Sequence, residues 1–273
     1  MRAARLLILL AALGWPTPVV AQDTVTRAFL ARATIAADRY RDLDSAIAAG
    51  YRAVGPELPA MGQHWIQLAF LSGDRVDPDQ PSVLEYITIG ERTVLVGVAY
   101  AILLAPGASP PDAPVPSRWW HTHGGDLDEE SLSDSHAGAG EMDGDGVAVL
   151  HAWVPVANPA GPFVAENWAL PFLRAGLVVP AEFSIPSARA LALGTGTEGL
   201  THFIAQFRRH AHPDAATDTA VVNAFTVAHD AIAGWLAGRD GSSLSAGELR
   251  WLDGVWLHVE AQVLASHITS RRD

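Results

Sequence analysis

Residues 93–104 are almost continuously apolar, with Val94, Leu95, Val96, Val98, Tyr100, Ile102 and Leu103 in a row broken only by small or hydroxyl side chains. A run this short cannot span a bilayer, which takes about 20 residues of helix. It suits a strand buried on both faces. The preceding residues 82–89 alternate instead, with Val83, Glu85, Ile87 and Ile89 on one side, and Gly90-Glu91-Arg92 stands between the two runs. The pattern predicts a β-hairpin with a three-residue turn whose second strand is central in a sheet.

Further strands are predicted over 63–70, 118–123 and 147–156. In the first of these, His64, Ile66, Leu68 and Phe70 share one side and Trp65, Gln67 and Ala69 the other. Residues 24–49 read as one amphipathic helix. Asp23 or Thr24 caps it, Phe29, Ala33, Ala36, Tyr40, Leu43 and Ile47 form its stripe, and Gly50 ends it. The Pro56 and Pro59 segment breaks any helix, and residues 105–117 are loop. Downstream of the turn cluster Asn158-Pro159-Ala160-Gly161-Pro162 the pattern is helical, over 198–209, 216–237 and a last helix opened by the capping box Ser245/Glu248. The short Gly238–Ser243 connection predicts that the last two helices pack antiparallel. The fold class is α+β: an N-terminal helix on an antiparallel β-sheet, followed by a helical C-terminal region. We expect an α+β domain over 22–176 and a helical region over 177–273, either separate or covering the sheet.

The N-terminus reads as a secretory signal peptide. Arg2 and Arg5 precede the apolar Leu6–Leu13, and Val19-Val20-Ala21 offers small residues for a cut after Ala21. This predicts a periplasmic or secreted protein. No later run reaches about 18 uninterrupted apolar residues, so no stable membrane insertion is expected after cleavage. Removing 1–21 takes away two arginines and no acid, so the formal charge of −12 becomes −14. All the basic residues are arginine, and so acidic a chain is a poor partner for nucleic acid. With no cysteine there are no disulfides, thiolate ligands or cysteine nucleophile. Any metal is then held by nitrogen and oxygen, which favours zinc, copper, iron, nickel or manganese over thiolate clusters.

Histidines on the predicted strands carry the chemistry. Trp119, His121 and His123 share a face by alternation, as do Val147, Val149, His151 and Trp153. The HxH pair sets two imidazoles about 7 Å apart along the backbone, close enough to share one ion. His151 or His64 would supply a third ligand. Glu85, on an apolar face, is a candidate fourth ligand or a base behind an imidazole. Three protein ligands would leave a position for water or substrate. Trp65, Trp119, Trp120 and Trp153 lie within two residues of these histidines and suggest an aromatic-lined ligand pocket, although tryptophans more often make a core. The acidic, glycine-rich residues 124–146 follow HxH directly and read as a lid or turn; Asp143-Gly144-Asp145-Gly146 lacks the full calcium-loop spacing. His202, His210, His212, His229, His258 and His267 lie on or beside helices without the E-x-x-H spacing of bundle metal sites, and read as structural or exposed. Gly194-Thr195-Gly196-Thr197-Glu198-Gly199 has the letters of a dinucleotide loop but does not follow a strand of a βαβ unit.

The order Arg39-Tyr40-Arg41-Asp42, Ala49-Gly50-Tyr51, Met61-Gly62-Gln63-His64, Pro81–Tyr86, Leu95–Tyr100, Leu150-His151-Ala152-Trp153 and Asn158–Phe163 is similar to a family of uncharacterised exported bacterial proteins with MGxH(W/Y), LHxW and NPxGxF motifs. The resemblance covers about residues 35–165, singles out His64 and His151 as motif positions, and implies no activity. The expectation is an exported metal-binding protein, whether or not an enzyme, with zinc, copper or iron in a His-rich site. Its alternatives are a non-enzymatic small-ligand-binding module without metal, and an interaction protein whose helical third is the contact surface.

Overall fold

The computed structural model describes residues 18–71, 75–105, 107–124, 146–210, 214–239 and 241–270. Helix α1 (Pro18–Asp38) and helix α2 (Leu43–Ala48) precede six strands: β1 (Arg52–Leu58), β2 (Gly62–Ile66), β3 (Val83–Ile89), β4 (Arg92–Leu104), β5 (His121–Gly124) and β6 (Gly146–Ala152). All pair antiparallel in one sheet of order β1-β2-β3-β4-β6-β5. Five helices follow: α3 (Leu170–Arg174), α4 (Ile185–Gly194), α5 (Gly196–His210), α6 (Ala215–Leu236) and α7 (Ala246–Ser270). The architecture is α+β.

The hairpin at the heart of the sheet forms as its pattern dictates. β4 is central, and residues 95–102 are buried throughout. The turn is one residue shorter than expected, because Ile89 pairs with Arg92 and only Gly90-Glu91 lies outside the ladder, with Gly90 at φ +59°.

α1 covers one face of the sheet. Phe29, Ala33 and Ala37, at steps of four, are buried there with Ala36, and Phe29 meets Tyr100 edge-on at 5.1 Å. The predicted single helix over 24–49 is two helices. Asp42 caps α2 by accepting from the Asp44 N–H at 3.4 Å, and the Tyr40 carbonyl at the break accepts from the Tyr86 hydroxyl at 2.5 Å. Tyr51 and Tyr100 similarly donate to the carbonyls of Pro81 and Pro78, at 2.5 and 2.9 Å. Burial pushes all three phenols up, which keeps them neutral donors.

One strand forms where none was expected, and two strand expectations are corrected. β1 forms across Pro56, which an edge strand tolerates because its outer N–H positions need no partner; the register shifts between Val54 and Leu58. The strand predicted over 63–70 stops at Ile66, where Gln67 caps a 3-10 turn (Leu68–Phe70) by accepting from the Ala69 N–H at 3.2 Å. Trp119 sits in a second 3-10 turn (Ser117–Trp119) rather than on β5.

The helical core centres on α4, whose Ala188 and Ala190–Leu193 are buried among α5, α6 and α7. Ser184 caps it, accepting from the Ser187 N–H at 3.0 Å. α6 and α7 pack antiparallel: Trp235 meets Trp251 at 5.2 Å and Phe225 meets Trp256 at 6.5 Å. The expected capping box is present, with Ser245 N–H donating to Glu248 at 2.8 Å and Glu248 N–H to the Ser245 hydroxyl at 3.3 Å. In the glycine-rich stretch 194–199, a Cβ on Gly194 would overlap Ile232 and one on Gly199 the Ala192 carbonyl, so these glycines permit close helix contacts. Leu170 of α3, packed with Ile87, Val96 and Trp153, ties the helices to the sheet, as does the ion pair of Arg174 with Glu57 at 3.3 Å.

Candidate metal centre

The sheet face opposite α1 carries the histidines. His64 pairs in register with Glu85, Glu85 with Gly97, Ala99 with His151, and His121 with Val149. With side chains alternating along each strand, four strands deliver His64, Glu85, His151 and His121 to one face. The central strand β4 delivers almost nothing, since Gly97 and Ala99 occupy its positions there.

That gap is what lets the cluster form. β3 and β6 flank β4, about 10 Å apart, yet the His151 Nδ1 contacts Glu85 Oε1 across it. A Cβ on Gly97 would overlap Glu85 Oε2 and come within 2.7 Å of Trp153 Cζ3. Nothing in the periodicity of the apolar run marks Gly97 as part of a site. Its signal is a glycine inside a central strand, which often means a close approach from outside the backbone.

Glu85 is fully buried, His151 is 1% exposed, and the His64 side chain 12%. Burial pushes the Glu85 carboxyl up, but the neighbouring imidazoles of His151 and His64, His151 foremost, outweigh it and hold the group below its ordinary value. The His64 Nε2 lies 3.7 Å from Glu85 Oε1, and Oε2 has no hydrogen-bond partner among the described residues. An ionised carboxylate only accepts. His151 therefore donates through Nδ1, and when the ring is neutral its Nε2 carries the lone pair.

That nitrogen faces His121 Nε2 at 3.4 Å. Two nitrogens on one tetrahedral zinc ion, each 2.0–2.1 Å from it, are about 3.3–3.4 Å apart. The rings are stacked, with centroids 4.8 Å apart and planes 11° from parallel, and His151 stacks on Trp153 from its other side at 5.6 Å. In stacked rings the in-plane directions of the two nitrogens run side by side rather than converging. Accordingly, no group of three or more His, Asp or Glu side chains among the described residues converges to hold a metal as placed. A turn of the His121 ring is what coordination requires. Beside the pair lies a cavity of about 20 Å³, bordered by Met61, His64, Ala99, His121 and His151, a volume that fits one water or one small cation.

His123 pairs in register with Val147, and its side chain lies outside the described residues, as does the acidic segment 125–145. The expected aromatic pocket is not assembled on this face. Trp65, Trp119 and Trp120 pack in the core under α1. Trp65 and Trp120 immediately follow His64 and precede His121, so on a strand they point the other way. Trp153 is buried, its indole N–H donating to the Val164 carbonyl. Of the helical histidines, His229 Nδ1 donates to the Leu193 carbonyl at 2.8 Å, a structural role.

No protein-family model matches the chain, and no curated protein or solved structure matches it either.

Proposed function

We propose that the protein is an exported metal-binding protein that holds one divalent transition ion, zinc, copper or iron, through His121 and His151. The observation that carries this reading is the 3.4 Å spacing of two Nε2 atoms, one of them on an imidazole anchored from behind by a fully buried carboxylate. The third nitrogen comes from His123 or from His64 after it leaves Glu85. Glu85 then acts behind the metal: it fixes the His151 tautomer and raises its basicity, as carboxylates do in histidine-metal sites. Two or three imidazoles leave a coordination position for water, whose proton such an ion makes easier to remove. Activation of water is the chemistry this arrangement suits. Export rests on the N-terminal segment, and the acidic charge of the chain speaks against nucleic acid as a partner.

Calorimetric titration of the metal-free chain from Gln22 with zinc tests the site. We expect one ion per chain, little binding to His121→Ala, and affinity for Glu85→Gln about 10–100-fold lower. Unchanged binding in His121→Ala and in His151→Ala would refute the assignment.

A further inference from the structure

The histidine face continues into a cleft of about 310 Å³. Its floor and walls are aliphatic: Val83, Ala101, Val147 and Val149 from the sheet, with Leu68 and Leu71 from the turn after β2. Ile66, Val83 and Val149 border both this cleft and the 20 Å³ cavity beside the imidazoles, so the two spaces share walls. The polar side chains at the cleft, Arg52 and Gln67, are partly engaged with the backbone, Arg52 through Nη1 alone. Arg52 donates to the carbonyls of Ile47 and Tyr51 at 3.2 and 2.7 Å, and Gln67 donates to Ala49 at 2.6 Å while accepting from Ala69 at 3.2 Å. Besides the histidine end, the cleft offers a ligand only the remaining N–H groups of Arg52 and the Gln67 amide; the rest of its surface is apolar.

We infer that the cleft binds a medium-chain aliphatic carboxylate or acyl compound, its chain lying over Ala101 and its oxygen head group at His121 and His151. At about 30 Å³ for each water-sized group, the volume holds roughly ten such groups, the heavy-atom count of octanoate. A small side chain on β4 makes the room: Ala101 stands where a larger residue would fill the cleft. The head-group part of this assignment rests on the metal reading above, and the chain part does not.

Octanoate and acetate, titrated calorimetrically into the zinc-loaded and zinc-free chain, test it. We expect octanoate to bind the zinc-loaded protein at least tenfold more tightly than acetate. Ala101→Leu, which fills the cleft, and Leu68→Glu, which puts a charge at its mouth, should each weaken octanoate at least tenfold and leave zinc affinity within twofold. Leu68 is 67% exposed, so its variant reports even if Ala101→Leu does not fold. Octanoate that binds no better than acetate, or binds both variants as it binds wild type, overturns the inference while leaving zinc binding untouched. Cleft-sensitive octanoate binding by a protein that takes no zinc would uphold the cleft and remove the metal reading.

Discussion

At the scale of single residues, the contact between Glu85 and His151 depends on Gly97. A methyl group there would displace the carboxylate, the Trp153 ring or both, and overpacking of this kind costs about 1–3 kcal/mol. Gly97→Ala should lower stability by that amount in chemical unfolding and also weaken zinc binding, because Glu85 can no longer orient His151. A Gly97→Ala protein with wild-type stability and zinc affinity would contradict the packing argument. Single residues also show what was legible beforehand. Alternation assigns His64, Glu85, His121 and His151 each to a face, and the register of the sheet puts those faces on one side. Gly97 was not found, because an absent side chain leaves no mark in a hydrophobic pattern. The tryptophans were assigned by nearness in sequence, whereas in a strand a direct neighbour belongs to the opposite face.

At the scale of elements, a regular apolar period or a long apolar run makes an element readable, and elements with neither are not. β3 and β4, with α5, α6 and α7, follow the predicted spans closely. α4 went unseen because it is apolar on nearly all sides, as a helix enclosed by others must be, and so shows no 3.6-residue stripe. β1 went unseen because Pro56 and Pro59 suggested an irregular segment, and only an edge position accommodates the first of them. The motif residues of the exported-protein resemblance largely serve this wiring. Tyr51, Tyr86 and Tyr100 each fasten a connection, and Asn158 holds the turn after β6 by donating to the Glu166 carbonyl at 2.9 Å and accepting from the Ala160 N–H at 3.0 Å. α7 depends on its capping box, so Ser245→Ala should destabilise the fold by about 1 kcal/mol, measured by chemical unfolding. A change near zero would mean that the first turn of α7 adds nothing to the packing of α6 against it.

At the scale of the whole molecule, the sheet separates a face closed by helix from a face left open. α1 closes one side with small residues and tyrosine clamps, and the other side presents imidazoles and an aliphatic cleft. Among the described residues no helix is long and apolar enough to cross a membrane. The helical region meets the sheet edge at a second cleft, between β1 and α5, where His202 lies. Burial lowers its pKa from 6.5 to about 4. In that window the unfolded chain binds a proton that the folded one refuses, so stability rises with pH from about 4 to 6.5 and is lost as pH falls back through it. The whole shift corresponds to about 3 kcal/mol as an upper figure. His202→Gln should flatten the pH dependence of unfolding between those limits, and an unaltered slope would show that His202 is hydrated in the folded state. The metal reading makes its own demand on the molecule, that imidazoles from two neighbouring strands meet on one ion. An X-ray absorption spectrum of the chain loaded with one equivalent of zinc measures this directly. We predict imidazole nitrogens at 2.0–2.1 Å and their loss in a His121→Ala/His151→Ala variant. A spectrum of water-coordinated zinc, or one that the double variant leaves unchanged, would contradict the assignment.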